Sequence, residues 1–176
     1  MPNNIPGDAR ESAVLALLYP NMGELQLLLI KRIEDGKPHS GQISFPGGRK
    51  DPADENLQVT ALRETHEEVG VPSGNIEILG ALSSLYIPVS NSNVYPYIGY
   101  TPQQPDYILS LDEVQYILEI PVKELFNPMR KSIKSITPSA FPEITIKAPV
   151  YEWDADHIIW GATAMMLAEL EEVMGY

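Results

Sequence analysis

The chain has no cysteine. That one absence removes disulfides, thiolate metal sites and cysteine nucleophiles. Positive charge is also scarce: 12 Lys and Arg stand against 24 Asp and Glu, for a formal net charge of -12. A nucleic-acid backbone would meet a repulsive field, so no nucleic-acid partner is expected. A small anion can still bind where metal ions and local basic residues screen the site. No apolar run approaches the ~20 residues of a membrane span, and residues 1–10 lack the apolar segment of a signal sequence. A cytoplasmic location with no membrane partner is the resulting expectation. Internal repeats and low-complexity segments are absent as well.

What is present suits a globular α/β protein: 176 residues, 44% of them apolar, enough for one domain with a sizeable core. Residues 1–11, with Pro2, Pro6 and Gly7, read as an N-terminal arm. Residues 12–176 read as a single domain. Residues 12–19 and 25–32 are continuous apolar strands, the second apolar on both faces and so central. Residues 42–45 form a short strand that delivers the chain to Gly47. A helix is predicted over about 56–69, capped by Asp54 or a neighbour, with Leu57, Ala61 and Leu62 on its buried side and its glutamates on another. Residues 76–82 form a strand and 85–93 a loop. Residues 94–100 form a strand in which Pro96 implies an edge or a bulge. A strand then leads into a short helix near 121–126, residues 133–136 and 144–153 make a late hairpin, and 158–174 make a second amphipathic helix. Helix, mixed sheet and helix suggest an α/β/α sandwich.

The chemistry is concentrated between Gly47 and Val71. Glu64, Glu67 and Glu68 stand at i, i+3 and i+4, so they project from one helical face. Three carboxylates there repel one another unless a divalent cation sits between them. Magnesium and manganese prefer oxygen ligands and leave room for substrate phosphates. The three glutamates are therefore the candidate metal ligands, and Gly48 can offer its carbonyl because glycine lets backbone approach a metal closely. Arg63 can brace one carboxylate with its rigid fork of donors. Gly70 ends the helix as a left-handed cap would. Glu113, at a strand start after a Pro-rich loop, is either an exposed turn acid or an extra ligand or general base; it is not separable from Glu67 as the base. A solvated acidic helix face is the competing reading of the whole cluster.

The stretch Arg63-Glu64-Thr65-His66-Glu67-Glu68-Val69-Gly70-Val71 resembles the Nudix box: Gly, five residues, Glu, seven residues, then Arg-Glu-apolar-x-Glu-Glu-x-Gly-apolar. Seven residues lie between Glu55 and Arg63, but six, not five, lie between Gly48 and Glu55, and Thr65 fills the usual apolar slot. The resemblance implies the Nudix fold, an α/β/α sandwich with a mixed central sheet, and the same metal-holding roles. Further residues are similar to the signature of Nudix coenzyme A pyrophosphatases: Leu28-Leu29-Ile30-Lys31-Arg32, His39-Ser40-Gly41-Gln42-Ile43-Ser44-Phe45-Pro46-Gly47-Gly48 and Asp51-Pro52-Ala53-Asp54. That subfamily also carries the additional residue in the box. Departures are Ile30 for Thr, Ile33 for Ser, Gly36 for Leu and Lys37 for Arg; the last keeps charge but loses the planar grip on phosphate.

The resemblance implies a magnesium- or manganese-dependent pyrophosphohydrolase that splits coenzyme A or an acyl derivative into adenosine 3',5'-bisphosphate and 4'-phosphopantetheine or its acylated form. Hydrolysis of ADP-ribose, NADH or dinucleoside polyphosphates is one alternative, and nucleotide sensing without cleavage another. Positive charge gathers around the box in Lys31, Arg32, Lys37, Arg49 and Lys50. Arg32 and Lys37 are the expected phosphate contacts. His39 either bonds a phosphate or orders its own turn. His66 is expected to face solvent or pack on its helix. Tyr86, Tyr95, Tyr97 and Tyr100 are read as packing residues, and the apolar ends and the arm suggest a homodimer.

Overall fold

The first strand, β1 (Arg10–Asn21), carries an apolar run from Ala13 to Tyr19 in which all but Val14 are buried. An unbroken run of this kind belongs to a strand covered on both faces. The rest of the chain, in a computed structural model describing residues 5–36, 39–138 and 141–176, supplies both covers. In order come β2 (Glu24–Arg32), β3 (Ile43–Ser44), β4 (Gly47–Arg49), α1 (Leu57–Val69), β5 (Glu77–Ala81), β6 (Leu85–Ile87), β7 (Ser92–Tyr100) and β8 (Val114–Pro121). They are followed by α2 (Val122–Leu125), β9 (Lys131–Ile136), β10 (Ile146–Glu152), β11 (Ile158–Trp160) and α3 (Gly161–Met174).

β1 lies parallel to β7, from Arg10↔Ser92 to Leu18↔Tyr100, and antiparallel to β2 and β4. β3 and β8 add to β2, and β5 and β6 to β7, so the main sheet is mixed. A second sheet has the order β11-β10-β9. Alternation along β1 divides the core. Ala13, Leu15, Leu17 and Tyr19 cluster with Ala61 and Val69 of α1. Ala16 and Leu18 cluster with Tyr151, Ile159 and Ala164, Leu167 and Leu170 of α3. Two cores on opposite sheet faces make the expected α/β/α sandwich.

Local chemistry fixes α1. Its N-cap is Asn56, whose side chain accepts from Val59 N at 3.0 Å. At its end Gly70 adopts φ +79°, and its N–H bonds His66 O at 2.9 Å. A Cβ there would also stand 2.8 Å from Ile108. Two orphan carbonyls of the last turn, on Glu68 and Val69, accept from Ser110 N and Ile108 N at 3.0 Å each. The helix end is thereby tied to the segment that leads to Glu113.

Several expectations are corrected. Arg10 and Glu11, assigned to the arm, already belong to β1. Residues 85–93 are not simply a loop: β6 and a 3-10 turn, Pro88–Ser90, lie there. β7 is not an edge strand. It is flanked by β1 and β5, and Pro96 is tolerated because its backbone faces the gap between β5 and β6, where its carbonyl accepts from Leu82 N. A register shift does occur nearby, between Ile78 and Gly80 of β5. The last helix begins at Gly161, since residues 158–160 pair with β10. Finally, the glutamates do not all sit away from the core: Glu68 is fully buried. Among the described residues no helix is long and apolar enough to cross a membrane.

Candidate active site

Gly47 and Gly48 bring the backbone of β4 against the glutamates of α1. Gly47 has φ +152°, and a Cβ there would lie 2.3 Å from Ala13 O, so only glycine fits. Its N–H, turned away from β1, donates to Glu68 Oε2 at 2.8 Å. A Cβ on Gly48 would stand 2.5 Å from the carboxyl carbon of Glu64. The double glycine is thus the cradle that lets two carboxylates reach the main chain. Gly48 pairs with Ala13, flanked by the bonds Leu15 N to Pro46 O and Lys50 N to Glu11 O. In that register its carbonyl faces β1, and only its second lone pair is left for a further partner.

Each acid of the cluster has a distinct setting. Glu68 Oε1 accepts from Arg32 at 3.0 Å, and burial pushes its pKa up to about 7 against the pull of Arg32 and the Gly47 N–H. Burial also raises Glu64, although Arg63 lies 3.0 Å from it. Glu67 is the open one: its side chain is 55% exposed and bonds Arg63 at 2.9 Å. Glu113 is exposed before β8, and its charge adds a small upward push to both Glu64 and Glu68. Glu55 stays exposed.

Arg63 is anchored elsewhere. Its Nε and one terminal nitrogen grip the two oxygens of Asp54 at 3.0 and 2.9 Å, and that nitrogen also donates to Arg49 O at 3.0 Å. The guanidinium holds the Asp54 carboxyl well below the usual carboxylate range. Asp54, noted from sequence as a cap candidate, is instead a nearly buried anchor that also accepts from Thr60 Oγ1 and Asp51 N.

Among the described residues, no three acidic or histidine side chains already converge as a metal-ligand set. The donors nevertheless fit magnesium or manganese, being carboxylates and a carbonyl, all oxygen, on a face where neighbouring acids raise the proton affinity of Glu64 and Glu68. A divalent cation held there would reverse that effect.

A cavity of about 550 Å³ opens along Gly47, Gly48 and Arg49. Its polar lining includes Arg10, Arg32, Arg49, His39 and Gln42, and no Asp or Glu lines it among the described residues. Arg32 links the cavity to the buried Glu68. The Ser44 hydroxyl, also in the lining, is buried without a partner. His39 takes φ +69° and its ring bonds Gln42 Oε1 at 3.2 Å, so it orders its own turn while lining the cavity. Lys37, expected at phosphate, lies outside the described residues. A larger cavity, about 760 Å³ between residues 70–77 and 100–108, is lined by Glu77 and Asp106 and, among the described residues, by no basic one, which makes it a poor anion site. Sequence reasoning missed Arg10, because Pro and Gly before it suggested an arm; the signal was its period-two spacing with Ser12 and Val14 on one face of β1.

Comparison with known proteins matches residues 9–140 to the NUDIX domain model. The Nudix hydrolase NudL of Yersinia pestis (strain Pestoides F) is 35% identical over 150 residues, covering 85% of this chain and 72% of that protein. Among solved structures, a MutT/nudix family protein from Enterococcus faecalis superposes with TM-score 0.61 at 19% identity, covering 96% of this chain and 63% of its own. A C. elegans Ap4A hydrolase binary complex gives 0.55 at 21%, over 64% of this chain and 80% of that one. The NUDIX domain of Shewanella oneidensis NrtR, complexed with ADP ribose, gives 0.51 at 20%, over 65% and 74%. These structures share the fold, and the sequence matches go further: the chain belongs to the NUDIX domain family, as a hydrolase of pyrophosphate bonds.

Proposed function

We propose that the substrate is coenzyme A or an acyl-coenzyme A, cleaved at its diphosphate to adenosine 3',5'-bisphosphate and 4'-phosphopantetheine or its acylated form. The observation that carries this reading is the acid-free cavity walled by Gly47 and Gly48, from which Arg32 reaches the buried Glu68. A diphosphate over the glycines would meet arginine on one side and the carboxylates on the other. The signature-like stretch supports coenzyme A in particular, and its His39, Gln42, Ser44 and Phe45 line this same cavity.

Glu64, Glu67 and Glu68, with the second lone pair of the Gly48 carbonyl, would hold magnesium or manganese. A metal held there would supply Lewis-acid polarisation of the diphosphate and make water a stronger acid beside it. Glu67 or Glu113, the exposed acids, accepts the proton of the attacking water. Arg32, Lys37 and His39 contact substrate phosphate. Arg63 is a positioning residue: its fork on Asp54 fixes the guanidinium that orients Glu64 and Glu67.

Glu67→Gln and Glu68→Gln should each lower turnover by ~10²–10⁴-fold at saturating metal, with the circular dichroism spectrum unchanged. Wild-type rates in both variants would refute the site. Substrate choice is tested by a panel of coenzyme A, acyl-coenzyme A, ADP-ribose, NADH and a dinucleoside polyphosphate, with magnesium and with manganese and with products identified. Faster cleavage of ADP-ribose or a dinucleoside polyphosphate would move the assignment there. A homodimer is also part of this reading; a concentration-independent monomer mass in sedimentation removes it.

A further inference from the structure

One wall of the cavity carries cations that no described residue neutralises. Arg10, Ser12 and Val14 alternate onto one face of β1, and all three line the cavity. Register pairs Ser12 with Arg49 of β4. Arg49 is therefore the diagonal neighbour of Arg10 on that face, at the ~7–8 Å that long side chains bridge. Both arginines are exposed. Among the described residues neither has an acidic partner, whereas Arg32, Lys50, Arg63, Lys131 and Lys134 each pair with one.

In a chain with 24 acids, two adjacent bare guanidinium groups in an acid-free cavity are an arrangement against the average charge. Like charges at that spacing repel unless an anion lies between them. The opposite wall adds to the field. Ala162 and Thr163, in the first turn of α3, line the same cavity, and the N-cap residue Trp160 provides no side-chain cap. The free N–H end of a 14-residue helix carries positive potential.

We propose that Arg10 and Arg49 form a second anion site, which takes a phosphate monoester on the substrate's ribose, separate from the diphosphate that is cleaved. Arg32, already bound to Glu68, stays with the diphosphate. A guanidinium fork matches phosphate oxygens in pairs, and two forks on adjacent strands enclose one phosphate. The site also supplies planar recognition that Lys37 cannot. The choice of coenzyme A as natural substrate rests on the function proposed above, but the two guanidinium groups favour a phosphate monoester whatever the other half of the molecule is.

Two matched pairs test it: coenzyme A against 3'-dephospho-coenzyme A, and NADPH against NADH. The wild-type protein is expected to favour the phosphorylated member about tenfold in kcat/KM, chiefly through KM, in any pair it cleaves. Arg10→Gln and Arg49→Gln should each remove most of that preference by weakening the phosphorylated member more than the bare one, with circular dichroism reporting an intact fold. Arg10→Lys should recover part of it, because charge returns without the fork. Raising salt should erode the preference, since both groups are exposed. Equal losses on both members, no preference in the wild type, or cleavage of neither pair would overturn the proposal. Cleavage of NADPH over NADH without cleavage of coenzyme A would remove the coenzyme A reading and leave the site standing. Equal rates on coenzyme A and its dephospho form would do the reverse.

Discussion

At the scale of single residues, Glu68 shows how burial and charge compete. It is fully buried, with Arg32 and the Gly47 N–H favouring its ionised form and desolvation, Glu64 and Glu113 opposing it. Desolvation is the largest of these influences, and the pKa rises from 4.5 to about 7. In the unfolded chain the proton leaves near the ordinary value, while the metal-free folded chain keeps it up to about 7. Through that window the unfolded state binds fewer protons, so this group's contribution makes stability fall as pH rises. The loss is at most ~1.4 kcal/mol per pH unit from this one group, and Glu64 adds in the same direction. Urea unfolding in a chelator should show that Glu68→Gln flattens this decline relative to wild type. Magnesium should then raise the stability of wild type above pH 7, by ~2.7 kcal/mol at a hundredfold excess over Kd, and do little for the variant. Parallel pH profiles for the two proteins would contradict the assignment.

At the scale of elements, the segment between β7 and β8 decides whether Glu113 reaches the carboxylates. It is fastened at two places. Ile108 and Ser110 bond the last carbonyls of α1. Farther back, Glu119 of β8 accepts from Tyr19 of β1 at 2.5 Å, Gln104 at 2.8 Å and Tyr107 at 3.4 Å, which ties the segment to the sheet. Glu119→Ala leaves the buried Tyr19 hydroxyl without its acceptor, a cost of about 1–3 kcal/mol. If the segment positions Glu113, kcat should drop severalfold in this variant while metal-induced stabilisation is retained. An unchanged kcat despite the lost stability would show that the segment is held without Glu119. The same elements show what the sequence made legible. β1, β2 and α1 were readable because burial on two faces and the Gly70 cap are written locally, although the N-cap proved to be Asn56 rather than Asp54. The position of Pro96 inside the sheet was not, because tolerance of its missing N–H depends on where β5 and β6 end. The glutamates of the box were readable as a set. That Glu68 alone is buried depends on β4, whose glycines approach α1 only once the sheet is formed. Arg10 escaped notice because Pro and Gly before it suggested an arm, and its diagonal neighbour Arg49 comes from a strand far away in sequence.

At the scale of the whole molecule, the part that matches the NUDIX domain model and the part needed to fold are different lengths. The match ends at residue 140. Beyond it, β10, β11 and α3 bring Tyr151, Ile159, Met166, Leu167 and Leu170 into the core beside Ala16, Leu18, Leu27 and Leu29. All five of these later residues are buried, and Met166 also lines the cavity with Ala162 and Thr163. Burying one large apolar side chain contributes ~1.5–3 kcal/mol. Five of them give on the order of 10 kcal/mol, comparable with the whole ~5–15 kcal/mol stability of a domain. Removing them would also strip one face of the main sheet. A chain ending at residue 140 should therefore lack a cooperative urea transition and the near-ultraviolet circular dichroism of fixed aromatic packing. Metal and nucleotide together should not restore either signal, because the cavity loses its α3 wall along with the core. A cooperative transition in the shortened chain would mean that the α1 face alone suffices for folding, and that the last three elements serve only to shape the cavity.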